Sequence, residues 1–216
     1  MSRNINKILT LLKKEYPQAE VALSFTNPLE ILVSTILSAQ CTDIRVNLVT
    51  KSLFKKYKIV EDYAKANIKT FEQEIRSTGF YHNKAKNIIA AAQRILKDFN
   101  GEVPNTMEKL VQLPGVARKT ANIVLLNGFG KVEGIAVDTH VRRLSQRLGL
   151  SKNDDPNKIE QDLMRLLDKK EWGDFSYLLI EHGRRICIAK NPKCLECILQ
   201  NLCPSKKIFI QNKCQK

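Results

Sequence analysis

Acid is what this chain has too little of. Against 36 Lys and Arg stand 22 Asp and Glu, which leaves a formal net charge of +14. A charge of that sign and size attracts polyanions, nucleic acid first among them. No apolar run approaches the roughly 18 residues that a membrane-spanning helix needs. The first residues, MSRNINKILTLLKKEYP, have no signal-peptide pattern either, so a cytoplasmic protein is expected. Strand signals are sparse, and there is no internal repeat, no low-complexity linker and no sign of a third domain. What is present is apolar spacing of the helical kind along most of the chain, which excludes a disordered basic tail protein. A length of 216 residues allows one domain or two small ones. An all-α protein of two helical lobes is expected.

In order, Ile5, Ile8, Leu9 and Leu12 mark an amphipathic first helix that stops before Pro17. Asn27, Pro28 and Glu30 read as N-cap, first-turn proline and capping-box glutamate of a helix that is apolar on nearly every side. That helix ends in Ser38-Ala39-Gln40-Cys41-Thr42, which places Gln40 on a loop before a helix capped by Thr42 or Asp43. A helix over about Ile68 to Ser77 breaks at Thr78-Gly79, so Phe80-Tyr81 falls on a tight turn before a helix from about Asn83 to Phe99. From the residues alone Phe80 reads as a core aromatic, since aromatics are mostly buried. Asn105 with Glu108 suggests another capping box, and Gly128, Gly130 and Gly134 mark a loop. Asp155-Pro156 opens one further helix and Asp174 to about Arg185 is the last long one; Ser205 to Lys216 reads as a polar basic tail.

The chemistry gathers between Leu113 and His140. Pro114-Gly115 is a turn that can leave backbone N–H groups exposed at the start of a helix over Arg118 to Asn127, and such helix starts bind phosphate. Gly115 and Ala117 are thus candidate backbone contacts to DNA. Lys119 lies in the first turn of that helix, where the dipole and neighbouring Arg118 both oppose a cation and favour the free amine a nucleophile needs. A plain helix-turn-helix with a solvated basic turn fits the same spacing. Farther on, Asp138 stands immediately before Thr139-His140-Val141, in the position of a helix N-cap. A capping carboxylate is held fixed and ionised, which also suits an electrostatic stabiliser.

Six cysteines in a reducing compartment read as metal ligands or free thiols before disulfides. Cys187, Cys194, Cys197 and Cys203 are spaced C-x6-C-x2-C-x5-C, four soft ligands close enough for one S4 centre. The spacing by itself leaves zinc and iron–sulfur both open. Cys41 and Cys214 fall outside the array, as a free loop thiol and a tail thiol. Lys190 and Lys193 lie on the loop between Cys187 and Cys194, just after Arg184 and Arg185, with no acid interrupting the set. These residues read as phosphate contacts or as a solvated face.

LPGVARKTA followed by VDTH resembles the helix-hairpin-helix and catalytic aspartate loop of the endonuclease III family of base-excision DNA glycosylases. The cysteine spacing resembles that family's four-iron four-sulfur signature and follows the other motifs in the family's order, so the resemblance covers nearly the whole chain. Ala117 stands where the commonest form of the hairpin has a second glycine. The resemblance implies that Lys119 is the nucleophile and Asp138 its partner, and that the four cysteines hold a [4Fe-4S] cluster. It further implies that Gln40 enters the DNA stack beside a flipped nucleotide, and that Phe80, where relatives often have leucine, is the wedge that fills the gap.

The implied protein is a bifunctional DNA glycosylase and AP lyase. It would excise oxidised pyrimidines and cut the abasic strand by β-elimination. Its partner would be double-stranded DNA with a damaged base or abasic site, and it would act as a monomer. One lobe would span 21–131 and contain the hairpin; 1–20 with 132–216 would form a discontinuous cluster lobe, with DNA in the cleft between. Two rivals are monofunctional relatives that hydrolyse with water and lack the lysine, and a non-enzymatic DNA-binding module in which Asp138 is only a cap.

Overall fold

The computed structural model describes residues 2–211, with side chains for 4–210; Cys214 lies outside them. The described residues contain no strand and form twelve α-helices. These are α1 (Ser2–Glu15), α2 (Pro28–Leu37), α3 (Asp43–Lys56), α4 (Val60–Ala64), α5 (Ile68–Ile75), α6 (Tyr81–Asp98), α7 (Met107–Leu110), α8 (Arg118–Phe129), α9 (Thr139–Arg147), α10 (Pro156–Leu166), α11 (Trp172–Arg185) and α12 (Lys206–Gln211). The chain divides into two compact units, one of Ala22–Glu133 and one of Met1–Val21 with Gly134–Lys216.

The contiguous unit is built around α2. Asn27 Oδ1 accepts from the Glu30 N–H at 3.0 Å and Pro28 takes the first helical position, so the helix begins where its sequence allows no earlier turn. The Glu30 carboxylate reaches the Thr26 N–H at 2.6 Å rather than the Asn27 N–H that a capping box would use. Every residue from Ile31 to Leu37 is buried, which requires cover on all sides; α3, α6 and α8 pack against it. Gly128, expected in a loop, lies inside α8, where a Cβ would come within 3.2 Å of the Pro28 backbone. Its missing side chain lets α8 approach α2. Tyr57, Tyr63 and Phe71 pack ring against ring at 5.1–6.1 Å beside α4 and α5.

The starts of α6 and α7 differ from expectation for local reasons. α6 starts at Tyr81, because Phe80 itself adopts the left-handed conformation (φ 47°, ψ 27°) and the helix follows directly. α7 starts at Met107 with Thr106 in the cap position and no side-chain cap bond; Asn105 instead accepts Lys131 Nζ on its carbonyl at 3.0 Å.

The other unit joins the two ends of the chain. Ile5, Ile8, Leu9 and Leu12 of α1 share one buried core with Val141 and Leu144 of α9, Ile159 and Leu163 of α10, and Phe175, Leu178 and Leu179 of α11. Each such side chain, fully buried, contributes about 1.5–3 kcal/mol. Lys13 of α1 pairs with Glu171 just ahead of α11. α11 begins at Trp172, whose indole N–H donates to the Leu167 carbonyl at 3.0 Å. Part of the expected polar tail is helical: α12 sets the Phe209 ring 4.4 Å from the Arg147 guanidinium, a cation–π contact.

Candidate functional site

The hairpin between α7 and α8 is anchored by buried Leu110 and Leu113 and closed by the Val116 N–H donating to the Leu113 carbonyl at 3.1 Å. Gly115 turns the chain at φ +78°, and a Cβ there would lie 2.8 Å from Asn87 Cβ on α6. Only glycine meets both conditions. Ala117 is extended, at φ −87° and ψ 170°, a conformation open to any L residue, so alanine brings no backbone strain. It occupies the N-cap position of α8 with no side-chain cap bond. Alanine has no side-chain oxygen to offer the first turn of α8, where a Ser, Thr, Asn or Asp cap would accept from an N–H. Gly115, Ala117 and Lys119 are all exposed, with Lys119 on the first turn of α8.

Asp138 is the N-cap of α9. Its Oδ1 accepts from the N–H groups of His140 and Val141, both at 2.8 Å. His140 Nδ1 lies 3.2 Å from the Arg143 guanidinium, which also donates to the carbonyls of Gly183 and Cys187 at 3.0 Å. Burial lowers the His140 pKa against the opposing pull of Asp138, so the ring is neutral at pH 7. Neither His140 nor Arg143 carried a role in the sequence reading.

Gln40 and Phe80 are both exposed, Phe80 at 63%, and both have left-handed backbones, with φ of 52° and 47°. A core position for Phe80 is thereby excluded. Cys41 is a half-buried free thiol.

All four cysteines of the array line one recess, together with Leu144, Leu148, His182, Ile186 and Pro192. Burial pushes the Cys197 thiol up to about 11, the sulfurs of Cys187, Cys203 and Cys194 adding to the rise, and Cys203 is raised in the same way. Four thiolates in such a place require a compensating cationic centre. Arg147 donates to Cys187 Sγ at 3.3 Å and to the carbonyls of Ile188 and Ala189 at 2.9 and 2.8 Å. His182, its pKa lowered to about 4 by burial, is neutral. Its Nε2 lies 3.3 Å from Cys197 Sγ and its Nδ1 2.9 Å from the Tyr16 hydroxyl. With a cysteinate as acceptor, Nε2–H donates and Nδ1 accepts from Tyr16.

The donor set fits an iron–sulfur cluster better than one ion. Among the described residues, no three His, Cys, Asp or Glu side chains are placed to hold a single metal ion, whereas zinc needs its sulfurs at about 2.3 Å from one point. A cluster takes one thiolate at each iron and spreads them.

Lys190 and Lys193 are exposed on a loop closed by the Lys193 N–H donating to the Ile186 carbonyl at 3.0 Å. No acid lies between Arg184 and Lys193 in sequence, yet one lies beside the two arginines in the fold. Glu181, one turn earlier on α11, lies 2.8 Å from Arg185 and 3.8 Å from Arg184; helical periodicity brings in an acid that linear reading left outside.

The family model for HhH-GPD superfamily base excision DNA repair proteins matches residues 33–169. The model for the iron-sulfur binding domain of endonuclease III matches residues 187–203. Endonuclease III of Synechocystis sp. is 54% identical over 199 residues, 92% of this chain and 91% of that protein. Endonuclease III of Bacillus subtilis is 49% identical over 189 residues, 87% of this chain and 86% of that one. A solved structure of a non-covalent endonuclease III–DNA complex matches with a TM-score of 0.93 at 42% identity, covering 98% of this chain and 99% of that one. A trapped endonuclease III–DNA covalent intermediate matches with a TM-score of 0.93 at 43% identity, covering 97% and 99%.

Proposed function

The chain belongs to the endonuclease III family of HhH-GPD superfamily base excision DNA repair proteins, and from that premise we infer that it is a bifunctional DNA glycosylase and AP lyase. It excises oxidised pyrimidines and cleaves the abasic strand by β-elimination through a lysine Schiff base. The observation that carries this reading is Lys119, exposed on the uncapped first turn of α8 directly after the Gly115 hairpin.

Lys119 Nζ attacks C1′ of the extruded nucleotide, a bond from nitrogen to C1′ forms, and the base leaves with the glycosidic electron pair. The sugar ring opens to a Schiff base, and loss of the C2′ proton then expels the 3′ phosphate. Asp138, held in place by its cap bonds, stabilises positive charge at the sugar or assists proton transfer to and from the lysine. Gly115 and Ala117 offer backbone N–H groups to a phosphate. Arg184, Lys190 and Lys193 contribute further phosphate contacts, the two lysines with fewer competing acids than Arg184. Gln40 and Phe80 fill the space left by the extruded nucleotide.

Cys187, Cys194, Cys197 and Cys203 hold the [4Fe-4S] cluster. When bound, the cluster would supply the positive charge that the cysteine thiolates need and would tie the 187–203 segment to one centre, and the reaction would require no redox turnover from it.

The substrate is double-stranded DNA containing a damaged base or abasic site, and the protein acts on it as a monomer. No helix among the described residues is long and apolar enough to cross a membrane; we place the protein in the cytoplasm, associated with the nucleoid through DNA binding. Borohydride reduction during reaction should trap the protein on lesion-containing DNA, with mass spectrometry placing the adduct on Lys119. Lys119→Gln should still bind that DNA while losing trapping and cleavage of abasic DNA together. Trapping by Lys119→Gln would put the nucleophile elsewhere and overturn the mechanism.

A further inference from the structure

Four non-glycine residues among those described have left-handed φ: Gln40, Phe80, Asn100 and Asn191. Asparagine visits that region readily, but glutamine and phenylalanine do so at a cost that surrounding structure must offset. Gln40 lies three residues beyond Leu37, the last residue of α2, and Phe80 lies two beyond Thr78, the last of a 3-10 turn. One side chain touches the stems of both segments. Lys84 Nζ donates to the Leu37 carbonyl at 2.7 Å and to the Thr78 carbonyl at 2.8 Å, and the lysine is 4% exposed.

A buried ammonium is not a default choice for a helix face. Burial lowers the pKa of Lys84, and a solvated lysine would carry no such penalty. What offsets it is geometry that an apolar residue does not supply. Leu37 ends α2, so its carbonyl belongs to the negative end of that helix dipole. The Thr78 carbonyl comes from the turn that aims Phe80 outward. The two segments are 47 and 6 residues from Lys84 in sequence, and its ammonium holds both to one point.

We propose that Lys84 is a positioning residue that sets Gln40 and Phe80 as a preformed pair, so that both enter the DNA stack together when a nucleotide is extruded. The proposal rests on the reading of these two residues as fillers of the emptied stack. With the pair preset, the ordering of two strained loops is complete before DNA binds, and binding energy goes to unstacking the nucleotide. Residues that act through one another are non-additive, which gives the proposal a readout that general destabilisation does not mimic.

The test is a double-mutant cycle on the full-length, cluster-loaded protein. Its readout is the rate of nucleotide extrusion, followed by the fluorescence of 2-aminopurine placed beside the lesion in duplex DNA. Phe80→Ala and Lys84→Met should each slow extrusion by about tenfold, and the double variant should be no slower than the worse single. Lys84→Arg, which restores donors, should recover much of the rate. Hydrogen exchange in free Lys84→Met should rise at residues 38–41 and 79–81 together. If the two substitutions multiply to about a hundredfold loss, Lys84 acts independently of Phe80 and the proposal is overturned. If Phe80→Ala alone leaves extrusion unchanged, the wedge reading itself is wrong and falls first. Should Lys84→Met not fold, the cycle is read in Lys84→Gln, which keeps an amide donor; failure of both to fold would assign Lys84 to stability alone and overturn the proposal.

Discussion

Asp138 holds Val141 by the backbone, its Oδ1 accepting the Val141 N–H at 2.8 Å while the same oxygen takes the N–H of His140. Both cap bonds use one carboxylate oxygen, which leaves Oδ2 outside the cap. Asparagine keeps a carbonyl oxygen in the Oδ1 position and loses the charge. Asp138→Asn should therefore melt within about 0.5 kcal/mol of the parent, while Asp138→Ala loses about 0.5–2 kcal/mol. Both should lose glycosylase and lyase rates by about 100-fold or more. Full activity in Asp138→Asn would reduce the residue to a cap.

Gly115→Ala combines a left-handed φ with a Cβ 2.8 Å from Asn87 Cβ. A loss of about 1–3 kcal/mol in urea unfolding is expected, together with weaker binding to undamaged duplex. Ala117→Gly is the contrasting variant. Its extended backbone carries no strain, so stability should hold or rise slightly, since glycine is the better N-cap. Equal losses at the two positions would contradict the distinction drawn between them.

Replacing Lys190 and Lys193 together by Ala should flatten the salt dependence of DNA binding, each lost phosphate contact lowering the log–log slope by about one. Preference for damaged over undamaged DNA should stay the same, since phosphate carries no base identity. An unchanged slope would remove both lysines from the interface.

Oxidative removal of the iron should release hydrogen-exchange protection across residues 186–205, because little regular structure holds the segment between α11 and α12 once its cysteines no longer share one centre. Residues 22–133, a separate compact unit, should keep their protection. Loss spread evenly over both units would show that the cluster supports more than its own segment.

Much of this molecule was legible because its signals are local. Asp138 precedes an apolar-periodic run and caps it; Asn27, Thr42 and Asp155 do the same. Four cysteines within one short segment announce a shared centre by spacing alone, though their metal does not follow from spacing. The residues that reasoning missed have distant partners. Lys84 meets Leu37 across 47 positions and Tyr16 meets His182 across 166, and nothing near either lysine or tyrosine marks it. Phe80 is intermediate: Gly79 signalled a turn, but a left-handed phenylalanine leading straight into α6 goes against its own preference and shows only in the fold. Glu181 stands outside the linear stretch of bases yet neighbours Arg184 and Arg185 on the helix.

The core shared by α1 and α11 has a consequence for how the protein is made. A ribosome emits Ile5, Ile8 and Leu12 first, and Phe175 and Leu178, which cover them, roughly 160 residues later, a wait of about 8–30 s at ordinary elongation rates. Residues 22–133 emerge inside that interval as an uninterrupted stretch and can collapse on their own. The apolar face of α1 meanwhile stays uncovered on the nascent chain until the segment that carries α11 arrives.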